Sequence, residues 1–224
     1  MNTNEINLLV RFFLTAAKSE KLPPKSKDFD TILSNLSKLD THKARVDYAE
    51  RCLEHLSSGS SRVIYKMDDN VLKLAKNDRG IAQNKVEANP KMKSKYINPT
   101  IKADKNGVWK ISPYLEKITE KEFEELTGIN FKDFGEVASY EMNKGEDSDP
   151  KPKVKDYDKI AKSDIVKEFI RLGKEFDLLS GDMVRISSFG KNDGHPVLLD
   201  SGLNSKVFSE YYDTGEKKSS KSKS

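Results

Sequence analysis

Cysteine is almost missing from the sequence. Cys52 stands alone, so neither an internal disulfide nor a thiolate zinc site can form. It falls among helical positions, where a small buried side chain is expected. Histidine is nearly as scarce, and His42, His55 and His195 are too scattered to suggest a metal cluster. No apolar stretch approaches the length of a membrane span. Hydrophobic residues make up only 35% of the chain against 34% charged, which predicts that part of it is solvated or mobile. Charge of one sign is not collected into a stripe, and the net charge is only +4; a dedicated nucleic-acid binder is therefore not expected. The first residues carry their apolar run after an acid, without the positive lead of a signal peptide, so a cytoplasmic protein is expected.

What the sequence does have is concentrated between residues 175 and 212. Leu178-Leu179 runs into Gly181-Asp182, and Val197-Leu198-Leu199 runs into Asp200-Ser201-Gly202. Between the two aspartates, Gly190-Lys191-Asn192-Asp193-Gly194 reads as the turn of a β-hairpin. An acid that ends a buried strand and precedes glycine suits the mouth of a cleft, where it holds a metal or accepts a proton. The alternative is a surface hairpin with two solvated turn acids.

The chain ahead of this stretch divides in two. Residues 4 to 19, 28 to 39 and 41 to 56 carry apolar residues at helical spacing and read as three helices. They form either a docking or oligomerisation module or a helical cap on the main domain. The apolar first helix is the candidate for a protein partner or self-association. At Ser57-Ser58-Gly59-Ser60-Ser61 the pattern changes to a small-residue loop, whose Gly59 and Ser60 would let backbone N–H groups approach phosphates. Two strands follow, the second being Val71-Leu72-Lys73-Leu74-Ala75. Inside such a strand Lys73 either points inward, needing an acidic partner, or is an ordinary edge lysine. The next helix carries Glu87, its partner or a solvated acid. A strand over residues 108 to 112 runs into Pro113-Tyr114-Leu115-Glu116. Thr119 and Glu122 have capping-box spacing, Ile118 and Phe123 staple spacing, and Gly128 sits where a helix should stop. A short helix around 130 to 140, a solvated loop over 141 to 158 and a core helix from Ser163 to about Asp177 complete the approach to Asp182.

This order of parts resembles the protein-kinase-like superfamily, over residues 53 to 212. Val71-Leu72-Lys73 is similar to the strand bearing the phosphate-binding lysine, Glu87 to its ion-pair partner, and Ile111 to Glu116 to the hinge. Asp182 is similar to the catalytic-loop aspartate, and Asp200-Ser201-Gly202 to the magnesium-binding triplet, with serine in the middle. The resemblance implies an α+β, two-lobe fold with a minimal C-terminal lobe: a helical extension over 1–56, a lobe of sheet plus helix over 57–115, a reduced lobe over 116–212, and a disordered basic tail over 213–224. It also implies an ATP- and magnesium-dependent phosphotransferase. Lys73 held by Glu87 would contact the phosphates, Tyr114 and Leu115 would bind the base, and Asp200 with Ser187 would hold magnesium. Asp182 would deprotonate the acceptor hydroxyl. The departures are specific. The loop has one glycine, Ser180-Gly181 precedes Asp182 in place of His-Arg, Ser187 stands where a metal-binding asparagine is usual, and only 22 residues follow Gly202. These features also suit a catalytically degenerate, binding or structural member, similar to short kinase-fold proteins of bacteriophages.

Overall fold

A computed structural model of the protein describes residues 20–144 and 150–213. The expected helix over 4–19 and nearly all of the basic tail lie outside these residues. The described chain is mixed α and β, with nine α-helices, a five-stranded antiparallel sheet and a separate hairpin. Among the described residues no helix is long and apolar enough to cross a membrane.

Two capped helices come first. Asp28 accepts from Thr31 N at 2.8 Å to start α1 (Phe29–Lys38), and Thr41 accepts from Ala44 N at 3.1 Å to start α2 (His42–Cys52). The second helix is shorter than its apolar spacing predicts. Leu53 is already extended, and β1 (Glu54–Ser58) pairs with β2 (Arg62–Met67) from Glu54↔Lys66 to Ser58↔Val63. Leu56 is thus on an exposed edge strand, at 38% exposure, rather than on a helix face. The backbone ladder has overridden a chance apolar spacing. Cys52, at the helix end, is half-buried instead of buried.

The sheet continues with β3 (Asn70–Ala75), β5 (Trp109–Pro113) and the short β4 (Lys102–Ala103), in the order β1-β2-β3-β5-β4. Strand alternation gives its two faces opposite chemistry. Val63, Tyr65, Met67, Leu72, Leu74, Trp109 and Ile111 form one apolar cluster with Ile32, Leu36 and Tyr48 of α1 and α2. Trp109 Nε1 donates to Ser37 Oγ at 2.8 Å, so even the indole N–H is satisfied across this contact. Helices α1 and α2 are therefore a cap on the sheet. The other face carries Arg62, Lys73 and Lys110, covered by α3 (Asp78–Glu87). Asn84 Nδ2 pins α3 down by donating to the carbonyls of Lys73 and Gly107.

A second apolar cluster is built by α4 (Glu120–Thr127), α5 (Phe131–Asn143), α6 (Tyr157–Ala161), α7 (Asp164–Phe176), the one-turn α8 (Ser180–Met183) and the hairpin β6 (Phe189–Asn192)–β7 (His195–Leu198). Phe123, Phe131, Phe134, Phe169 and Phe189 meet ring against ring at its centre. The hairpin turns on Asp193 and Gly194, whose φ values of 47° and 75° are those of a type I′ turn. The stretch expected to be a solvated loop is only partly so. Residues 145–149 lie outside the described set, but 141–143 continue α5, and Tyr157 is buried with its hydroxyl donating to Glu141 at 2.5 Å. One tyrosine in a charged segment was enough to anchor it.

The α4 start has the expected reciprocal box. Thr119 Oγ1 accepts from Glu122 N at 3.2 Å, and Glu122 Oε2 accepts from Thr119 N at 2.8 Å. Thr119→Ala should cost about 1 kcal/mol in urea denaturation, the usual worth of such a cap; an unchanged midpoint would show that the Ile118–Phe123 contact alone fixes the helix start. After Gly202 the chain forms α9 (Ser205–Tyr211), started by Asn204 accepting from Val207 N.

Candidate functional site

The charged face of the sheet converges on one carboxylate. Lys73 and Lys110 are directly opposed in register on β3 and β5, so their side chains leave the same face as neighbours. Glu87, the last residue of α3, lies over them. Its Oε2 accepts from Lys73 Nζ at 2.7 Å and Lys110 Nζ at 2.5 Å, and its Oε1 from Arg62 Nη1 at 2.7 Å. All four side chains are buried, Glu87 and Lys110 to 1% exposure. Burial works against the ionised Glu87, but Arg62, Lys110 and Lys73 outweigh it and hold the carboxyl well below its usual range.

The network reaches the second aspartate of the sequence pattern. Arg62 Nη2 donates to Asp200 Oδ1 at 2.6 Å, and Lys73 Nζ donates to the carbonyl of Leu199 at 2.5 Å. Arg62, Lys73, Glu87 and Asp200 thus bind β2, β3, α3 and the end of the hairpin into one unit. Gly202 makes this contact possible. A Cβ there would stand 2.9 Å from Gln83 Cβ and 3.0 Å from Glu87 Oε1, so only glycine lets the chain pass beneath α3. Ser201, between them, is buried against Met92.

A cleft of about 660 Å³ opens beside the network. Lys73, Asp200, Ser187, Tyr114 and Leu115 line it together, with Ile64, Val71 and Leu199 as apolar wall. Tyr114 brings only part of itself, since its backbone N–H donates to Asp69 O at 2.8 Å. The carbonyl of Pro113 is likewise taken, by Asn98 Nδ2 at 3.0 Å. The amide and carbonyl of Leu115 have no partner among the described residues.

Three predicted residues stand elsewhere. Gly59 and Ser60 do not line this cleft. Ser57 and Ser58 belong to β1, which shortens the loop to a tight turn in which Gly59 N donates to Arg62 O. Asn77 Nδ2 and Arg79 Nη2 then hold the Ser60 carbonyl against the start of α3. Asp182 sits on α8 instead of in a turn and lines a larger, adjoining cleft of about 1190 Å³, with Ser60, Lys174 and Arg185. Burial raises its carboxyl above the ordinary range, Arg185 at 3.2 Å offsets this, and the like charge of Asp200 adds to it.

Magnesium and ATP were expected here, and the donor set fits a particular mode of binding. Asp200 Oδ2 has no partner among the described residues and Ser187 lines the same cleft, while Oδ1 is engaged by Arg62. One carboxylate oxygen and a hydroxyl suit a magnesium that takes the rest of its shell from phosphate and water, and do not suit one held by protein alone. Among the described residues no group of three or more His, Cys, Asp or Glu could hold a metal.

Arg62 and Lys110 were not singled out in the sequence. The available signal was the repeated pattern of one lysine inside an apolar strand, in Val71-Leu72-Lys73-Leu74-Ala75 and Val108-Trp109-Lys110-Ile111-Ser112. Two such strands paired in register place two cations on one face.

The chain matches no family model and no curated protein sequence. Among solved structures it is similar to a choline/ethanolamine kinase family protein from Mesorhizobium loti, at 13% identity and a TM-score of 0.35, over 78% of this chain and 64% of that one.

Proposed function

We propose that the protein is a small kinase-like phosphotransferase that binds ATP in the cleft beside Lys73. In this reading the sheet with α1–α3 forms one lobe, α4–α9 with the hairpin forms the other, and residues 113 to 116 join them. The observation that carries it is the position of Lys73. Its Nζ is held between Glu87 and the carbonyl preceding Asp200, on the wall of a cleft that Leu115 also lines, with backbone groups that have no partner among the described residues.

The base would lie against Ile64 and Val71 and bond to Leu115. Lys73 would contact the non-transferred phosphates. Asp182, with its raised carboxyl, would take the proton of an acceptor hydroxyl in the adjoining cleft. The hydroxyl oxygen then forms its bond to the terminal phosphorus as the bond to the bridging oxygen breaks, and ADP leaves with that electron pair. Magnesium, bound through the phosphates to Asp200 and Ser187, would neutralise charge on the oxygens.

Calorimetric titration with Mg-ATP tests the reading. Lys73→Met should weaken binding at least about tenfold, as expected for the loss of a charged contact of roughly 1.5 kcal/mol or more. Asp182→Asn should keep the affinity and abolish only transfer. A wild-type chain that binds no nucleotide would overturn the proposal. One observation favours a second reading, a kinase-fold binding protein without transfer: Asp200 is already paired with Arg62. Nucleotide binding without turnover, across a panel of hydroxyl acceptors, would select it.

A further inference from the structure

Asp200 does not wait uncompensated for a metal. The Arg62 side chain, 6% exposed, reaches it from β2 while its other nitrogen stays on Glu87 and Asn84. The guanidinium is planar and permanently charged, and two acids, the buried Glu87 and the exposed Asp200, fix it from opposite ends. The ionisable groups of the network are Arg62, Lys73 and Lys110 against Glu87 and Asp200, three cations to two anions. One positive charge is therefore left over, next to a cleft that Lys73 lines.

From this we infer that Arg62 is a built-in counter-cation for Asp200, which lets the cleft bind a polyphosphate nucleotide without a divalent metal. The inference rests on the nucleotide reading of the cleft. Its physical content is electrostatic. An aspartate left bare would repel a triphosphate and need a metal between them. An aspartate neutralised by a resident arginine does not, and the surplus charge attracts the phosphates directly. The same pairing makes Asp200 a poor ligand for a free divalent ion, because only Oδ2 is left to it and the Arg62 charge offsets that of the carboxylate.

The test is calorimetric titration of the full chain with ATP, once in EDTA and once with excess magnesium, beside electron paramagnetic titration with Mn²⁺ alone. For wild type the two ATP affinities should agree within about tenfold, and Mn²⁺ alone should bind weakly. Arg62→Gln should lose metal-free ATP binding by at least about tenfold while binding Mn²⁺ more tightly, and Arg62→Lys, which keeps the charge, should retain metal-free binding. If wild type binds Mg-ATP but not ATP in EDTA, the nucleotide reading stands and the role of Arg62 falls. If it binds neither, both fall. Should Arg62→Gln fail to fold, the wild-type pair of titrations decides by itself.

Discussion

Glu87→Gln should destabilise the protein by about 3–5 kcal/mol, the cost of removing one partner from a buried ion network and leaving the others uncompensated. The size follows from the count of cations that meet on this carboxylate. Lys73 would keep the Leu199 carbonyl and Arg62 would keep Asp200, but the Lys110 ammonium has Glu87 as its one hydrogen-bond partner among the described residues and is buried to 1% exposure. The sign with pH agrees. A carboxyl held well below its usual range contributes stability above its unfolded value near 4.5, and that contribution disappears as pH falls through the folded value. Urea denaturation at neutral pH is the measurement. Adding Lys110→Met to Glu87→Gln should recover part of the loss, because the stranded cation is then gone and only its stem is replaced. A loss under about 1 kcal/mol for Glu87→Gln would mean that the three cations do not depend on it.

This network also shows where the sequence stops being readable. Lys73 and Glu87 stood out because each breaks a local pattern: a lysine among strand residues, and one acid in the helix that follows. Lys110 breaks the same pattern, but its importance depends on β3 and β5 being paired in register, which is a tertiary fact. Arg62 opens its strand and reads as a flanking charge. Only the turn that returns β3 against β2 puts it on the face of Lys73 and within reach of Asp200. Local rules served well where the interaction is local. The box at Thr119, the stop at Gly128 and the turn at Asp193-Gly194 involve residues within a few positions of one another. They failed at Leu53 to Leu56, where helical spacing continued but a sheet edge was open to pairing, and at Ser57 and Ser58, which read as a loop and lie in β1. They failed again at Tyr157, whose anchoring partner lies on a different helix. The short side chains at Gly59 and Ser60 suit a phosphate loop, but the side chains that hold that turn, Asn77 and Arg79, come from the start of the helix after the next two strands.

Lys110 supplies the second large effect, a rise of stability with pH on the alkaline side. Burial pushes its ammonium down from 10.5 to about 8; Glu87 resists this, while Lys73 and Arg62 repel the charge and add to it. Below pH 8 the folded and unfolded chains both hold this proton, so the cost of burying the charge is present in full and does not change with pH. Between about 8 and 10.5 the unfolded chain still holds the proton that the folded chain has released, so folding gains stability as pH rises. A shift of this size corresponds to roughly 3 kcal/mol across that window. Other groups titrate there too. Tyr65 and Tyr157, whose hydroxyls burial raises above their usual range, act in the opposite direction above pH 10, because the folded chain then keeps protons that the unfolded one loses. Comparison with Lys110→Met removes these shared contributions. Measured by urea denaturation at pH steps from 7 to 10.5, wild type should gain roughly 3 kcal/mol on the variant, nearly all of it above pH 8. The gain should leave the cleft beside Lys73 intact, since Arg62 and Lys73 still neutralise Glu87 after Lys110 has lost its charge. A constant difference between the two chains over the whole range would show that Lys110 stays protonated beside Glu87, and that the carboxylate is shared by three full charges even in alkali.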